Sequence, residues 1–233
     1  RSESLGLERS SVRQSKVIPV ALGEVDVIKA IQLLPGVAVT SEGSSGFSVR
    51  GGSPDQNLII LDEATVYNAS HLLGFFSVFN NDAIKDVKLY KGDIPAAFGG
   101  RLASLLDVRM KDGNKRKFAA TGGIGTISSR LTLEGPIFTD KASFLLSGRR
   151  TYADIFLPLA KDPAVRDNSL FFYDLNGKIN YTLNDKNRIF LSGYFGKDVF
   201  ANDFAGMYFG NRTFTFRWNH LFSNKLFSNF TLL

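Results

Sequence analysis

Two periodicities divide the chain. From Glu24 to Leu34 the apolar residues Val27, Ile28, Ile31 and Leu34 recur at the spacing of one helical face, and Pro35 and Gly36 end the run. Glu24 and Asp26 fall in the first turn, where the positive end of the helix dipole favours acids. Val37 to Val39 and Phe47 to Val49 predict short strands around the loop SEGSSG, and Leu58 to Leu61 is continuously apolar, the pattern of a strand covered on both faces. Asp62 and Glu63 close that strand, with Thr65 to Tyr67 as its return. Ile84 to Lys91 alternates, Val87 and Leu89 opposing Asp86 and Lys88. Pro95 predicts a short helix over IPAAFGG, and Leu106, Val108 and Met110 alternate with Asp107, Arg109 and Lys111 in a last strand. These elements predict a small mixed α/β domain over residues 17–113, behind a polar, Ser-rich linker at 1–16.

After Asn114 the period becomes two and stays there. Phe171, Tyr173, Leu175, Ile179, Tyr181 and Leu183 share one face, with Asp174, Asn176, Lys178, Asn180 and Thr182 on the other. Seven strands are predicted, at 117–125, 129–138, 142–153, 169–183, 188–200, 208–222 and from 226. Strands of soluble sandwiches average about 5 to 6 residues, whereas 169–183 is long enough to cross a bilayer at a tilt. The connections TDK, NDKN and SNK are tight, while 154–168 and 201–207 are longer, the alternation of periplasmic turns and extracellular loops in an outer-membrane barrel. Residues 114–233 therefore predict the first part of an antiparallel transmembrane β-barrel. A barrel able to enclose the preceding domain needs about 22 strands, so most of the wall is expected beyond Leu233.

Composition sharpens this division. The net charge is +6, but 17–113 holds 8 basic against 11 acidic residues and 114–233 holds 16 against 9; 16 of the 21 Phe and the single Trp follow residue 113. The basic excess is spread over alternating strands with no basic helix, which argues against nucleic acid. The absence of cysteine removes disulfides, thiolate metal sites and cysteine nucleophiles. Only His71 and His220 could serve metal or triad chemistry, and adjacent Asp62 and Glu63 on a strand would point to opposite faces. No catalytic residue, metal site or cofactor is expected. The segment HLLGFFSVFN, 71–80, follows neither period and reads equally as core or as an apex loop facing a ligand.

The motifs DVIKAIQLLPGV, VRGGSPDQNLIILD, YNASHLLGFFSVFN, YKGDIPAAFGGR and LEGPIFTDKASFLLSGRRTY, in this order over about residues 17 to 155, resemble the plug and first barrel strands of a TonB-dependent outer-membrane receptor. Their wording is similar to the branch common in Bacteroidetes, whose members often carry a carboxypeptidase-regulatory-like domain ahead of the plug. The resemblance implies active import of a scarce ligand, such as a siderophore, glycan or peptide, across the outer membrane of a Gram-negative bacterium. It implies TonB and its proton-gradient-driven motor as partners, with the TonB box expected before Arg1, and outer-membrane lipids around the barrel. A surface lipoprotein or a larger outer-membrane complex is a further expected partner, and a non-transporting subunit of such an assembly is the alternative reading.

By the same resemblance Arg50 and Arg101 are candidate latches between plug and wall. Gly51, Gly52, Asp62, Gly92, Gly99 and Gly100 mark the plug turns, and Tyr67, Asn68, His71, Phe75, Phe76 and Phe79 are candidate ligand contacts at the plug apex. The family usually has Asp-Gly after the apolar strand, a turn that tolerates positive φ. Here Glu63 and Ala64 follow Asp62, which leaves the hairpin geometry open.

Overall fold

A computed structural model describes residues 7–11, 26–40, 46–162, 166, 168–201 and 205–233. The chain divides into two compact units, 1–110 and 111–233.

The first unit is built on a five-stranded sheet in the order β1 (Leu7–Ser11), β8 (Ile84–Tyr90), β9 (Ser104–Met110), β4 (Asn57–Leu61), β5 (Ala64–Thr65). Only β4 and β9 run parallel; the other pairs are antiparallel. Two small hairpins accompany the sheet, β2 (Val37–Val39) with β3 (Phe47–Val49), and β6 (Ser70–His71) with β7 (Phe76–Ser77). Helix α1 (Val27–Gln32) buries Val27, Ile28 and Ile31 of the predicted apolar stripe; Leu34, its fourth member, lies past the helix end and is only half-buried. Asp26 is its N-cap, accepting from the amides of Ile28 (2.8 Å) and Lys29 (3.4 Å), so its carboxylate satisfies two of the orphan donors that every helix start exposes. Glu24 lies outside the described residues.

Three local expectations change. Residues 7–11 are an edge strand of the sheet, paired with β8 from Leu7↔Tyr90 to Ser11↔Asp86. Edge pairing is made by backbone groups alone, so the sequence LERSS carries no strand period. IPAAFGG forms only a turn, in which the Phe98 amide donates to the Pro95 carbonyl at 2.9 Å; Pro95 and Gly99 leave too few residues to repay helix nucleation. Strand β9, read as alternating, is buried on both faces, Asp107 included, because it sits between β8 and β4.

The second unit is one seven-stranded antiparallel meander, β10 (Ala119–Ile124), β11 (Ser128–Phe138), β12 (Ala142–Thr151), β13 (Ser169–Asn184), β14 (Asn187–Ala201), β15 (Gly206–Ser223) and β16 (Leu226–Leu232), in sequential order. The tight connections Phe138 to Ala142, Asn184 to Asn187 and Ser223 to Leu226 all lie at one end, and each carries a register shift that lets the strands turn in so few residues. Its side chains are distributed in reverse of a soluble protein. Leu131, Leu146, Leu175, Ile179, Phe214 and Trp218 are exposed, while Thr132, Ser147, Arg149, Asp174, Asn176, Lys178, Asn180 and Thr215 are buried. No helix among the described residues is long and apolar enough to cross a membrane; the strands carry the apolar surface instead.

Candidate functional site

In the first unit, the turn after β3 fixes a single arginine. Arg50 (φ 51) and Gly51 (φ 80) are consecutive left-handed residues, the first of which is uncommon for a side chain with a Cβ. The Arg50 amide donates to the Gly36 carbonyl at 3.0 Å, and its Nη1 would lie 3.1 Å from a Cβ at Gly92, so the guanidinium rests on bare backbone there. Gly52 is required for space, because a Cβ would stand 2.5 Å from that of Ala103. The Arg50 and Arg101 side chains are both exposed on this unit; Arg101 donates to the carbonyl of Gly100 at 3.3 Å.

Beneath this turn lies a residue that the sequence reading passed over. Asn57 is buried at the start of β4; its Nδ2 donates to the carbonyls of Phe47 (2.7 Å) and Pro54 (3.2 Å), and its Oδ1 accepts from the Ser104 hydroxyl (2.7 Å). One amide therefore joins β3, β4 and β9. A polar residue opening an apolar run is its only signature in the sequence.

The Asp62-Glu63 loop is a two-residue hairpin, with Leu61 facing Ala64 and Ile60 facing Thr65. Both loop residues have positive φ, 47 and 78, so the turn keeps the backbone that an Asp-Gly pair adopts without strain. Side chains hold it: Asp62 Oδ1 accepts from the Met110 amide (3.1 Å), and Glu63 Oε1 lies 2.9 Å from Nη1 of Arg109, whose Nε bonds Asp107 at 2.8 Å. Burial works against the charge on Arg109, but Asp107 and Glu63 outweigh it and hold its pKa above the ordinary value. The two acids serve the turn and do not face a common substrate position.

The apex set divides. Tyr67 is 83 % exposed, Phe75 is 54 % exposed and Asn68 is exposed, whereas His71, Phe76 and Phe79 are almost wholly buried. Those last three are core side chains and offer a ligand no surface, which corrects the expectation for them. The segment HLLGFFSVFN folds over a turn at Leu72–Gly74, and Phe75 points outward. Asp26 ties this segment to α1, because its Oδ2 accepts from the buried Ser77 amide at 2.7 Å.

In the second unit the buried face forms a polar ladder. Arg149 meets Asp174 through Nη2 (2.7 Å) and Nε (2.9 Å), and lies 4.9 Å from the centroid of Phe172. Lys178 pairs with Asp112 at 3.1 Å, Thr132 with Ser147 at 2.7 Å, and Asn180 donates to Ser143 at 2.6 Å. His220, on the outward register, bonds Asn187 at 2.7 Å. Among the described residues no cluster of His, Cys, Asp or Glu could hold a metal.

Residues 9–104 match the family described as TonB-dependent Receptor Plug Domain. No curated protein matches the chain in sequence. In fold it is similar to the siderophore receptor PirA from Acinetobacter baumannii (17 % identity, TM-score 0.66, 94 % of this chain and 38 % of that one). It is also similar to PirA from Pseudomonas aeruginosa (15 %, 0.68, 99 % and 40 %) and to the alcaligin outer-membrane receptor FauA from Bordetella pertussis (15 %, 0.66, 98 % and 38 %). The chain thus spans about two fifths of the length of these receptors. Residues 9–104 thus match a TonB-dependent receptor plug, and in fold the whole chain is similar to the plug and first wall strands of outer-membrane receptors, with the apolar face of its strands outward.

Proposed function

We propose that this chain is the plug and opening wall of a TonB-dependent transporter, which imports a scarce ligand across the outer membrane and is not an enzyme. The observation that carries the reading is a plug domain followed by strands whose apolar side chains face out. A plug inside a wall blocks passive diffusion, so passage needs work from outside the barrel, which TonB and the proton gradient would supply. The receptors of similar fold are named for siderophores and, in one case, copper, which supports a scarce nutrient of that kind; a glycan or peptide is compatible with the same architecture. Tyr67, Asn68 and Phe75, the exposed members of the apex set, are the proposed ligand contacts. Arg50 and Arg101, exposed on rigid turns, are the proposed latches to wall carboxylates. The wording of the motifs supports the Bacteroidetes-type branch, with its additional N-terminal domain and, as a further partner, a surface lipoprotein or larger complex.

The test is growth of a deletion strain on limiting iron chelates, glycans or peptides, with and without the intact receptor gene and with TonB depleted. Restoration that requires both receptor and TonB is expected. Growth indifferent to the receptor on every nutrient would instead favour a non-transporting subunit. In the same strain Arg50→Ala should raise leakage of large antibiotics, and unchanged leakage would remove Arg50 as a latch.

A further inference from the structure

The second unit begins before its first strand. Residues 111–118, between β9 and β10, belong to it, and strands that come later in the chain hold them in place. The Asp112 carbonyl accepts from the Ser143 hydroxyl at 2.7 Å and from Asn180 Nδ2 at 2.5 Å, and the Asp112 carboxylate pairs with Lys178 Nζ at 3.1 Å. All three partners are buried on the polar face, Ser143 on β12 and the other two on β13. Lys115 Nζ donates to the Thr182 hydroxyl at 2.9 Å, and the Lys115 carbonyl accepts from the Asp140 amide at 3.0 Å, in the tight turn after β11. Arg116 Nε lies 2.7 Å from Oδ1 of the same Asp140.

These contacts trace a path across the sheet. The segment starts against β13 and β12, passes the turn between β12 and β11, and enters β10 on the far side of β11. It also changes face. Asp112 is bound on the polar face, whereas Phe118 lies over Gly135 on the apolar face, where a Cβ at Gly135 would overlap its ring; the Phe118 and Phe144 rings stand 6.2 Å apart. The segment therefore hooks round the end of the β11–β12 hairpin. Two residues make the hook possible. Gly113 has φ 78, and a Cβ there would overlap the backbone carbonyl of Phe144, so only glycine lets the chain lie this close to β12. Asn114 Oδ1 accepts from the amides of Arg116 (2.9 Å) and Lys117 (3.1 Å), which bends the chain beneath the hairpin.

Met110 ends β9, the last strand of the first unit, and Asp112 is two residues on. A load drawn on the first unit and carried along the chain reaches Asp112 before it reaches any strand of the second. For the hook to give way there, both carbonyl bonds and the ion pair must break, and a buried lysine loses an acid partner, which is costly.

We propose that residues 112–116 are a strap that fastens the end of the plug to the wall, so that displacement of the plug stops ahead of Asp112 and leaves the wall intact. Asp112 supplies its bonds and Gly113 its closeness to β12. The load it meets in the cell is the pull of TonB proposed above. The strap itself is a property of the folded wall and is measured without ligand or TonB, so the transport reading can fail while the strap stands.

The experiment pulls the full-length receptor, reconstituted in a lipid bilayer, by a handle fixed at Arg1→Cys in a force spectrometer, and reads the length released before the wall gives way. In the wild type the release should pause ahead of Asp112 and resume in a separate step of roughly 23 to 25 Å, for residues 112–118 at about 3.3 to 3.6 Å each when extended. Gly113→Ala, which cannot lie against Phe144, should lose the pause, lengthening the first release by that amount. A wild-type release that runs into β10 without a pause would overturn the proposal. So would a pause unmoved by Gly113→Ala in a receptor that keeps the heat-modifiable mobility of a folded barrel. If Gly113→Ala does not fold, Asp112→Asn is read instead: it keeps the carbonyl bonds and loses the ion pair, so its pause should break at lower force, and an unchanged force has the same consequence.

Discussion

Leu106 and Leu175 are both leucines in alternating strands, yet Leu106 is completely buried and Leu175 is 47 % exposed. In the first unit the sheet hides its apolar residues, as water requires, and on β8 it presents Lys85 and, in part, Asp86 and Lys88. In the second, Arg149, Asp174 and Lys178 are buried while leucines and phenylalanines cover the outside. The same period-two pattern is thus used in opposite senses within one chain. The pattern states that the two faces differ; the surrounding solvent decides which one is covered.

The largest expected effect comes from the polar interior of the second unit. Asp174→Ala would leave the Arg149 guanidinium, 4 % exposed, without its carboxylate, and such losses cost about 3 to 5 kcal/mol. Urea unfolding of the refolded full-length receptor should show it, and replacing both partners by Leu and Met should recover most of the loss. A double variant as unstable as the single one would mean that the pair is not the unit of stability.

Next, the two leucines can be compared directly. Leu106→Ala should cost about 2 to 5 kcal/mol of opening free energy at the β9 amides, as for a buried leucine that leaves a cavity. Leu175→Ala should cost the β13 amides well under half of that, because lipid or detergent fills the space. Hydrogen exchange on the receptor in detergent reads both, and equal losses would break the contrast between the units.

The smallest effect is expected at the Asp62-Glu63 turn. Glu63→Gly relieves a left-handed residue, worth about 1 kcal/mol, and loses a partly exposed ion pair worth about 0 to 1 kcal/mol. The net change should be near zero. Glu63→Ala keeps the strain and loses the pair, so it should be the less stable of the two in the same exchange measurement. The reverse order would show that the left-handed backbone at position 63 is not a source of strain.

What the sequence determined was the part of the fold carried by periodicity and turn chemistry. Residues such as Val87, Leu89, Tyr173 and Leu175 announce their faces, the strands after residue 114 are long enough to cross a bilayer, and the ordered motifs around Arg50, Gly51 and Gly52 resemble a plug. These signals are local, so they survive being read one segment at a time. The tertiary structure decided what depends on partners distant in the chain. Residues 7–11 became a strand because β8 offered them an edge, and His71, Phe76 and Phe79 became core because α1, through Asp26, holds their segment in place. Asn57 joined three strands that the sequence separates, and Glu63 could adopt a glycine-like backbone because Arg109 was within reach.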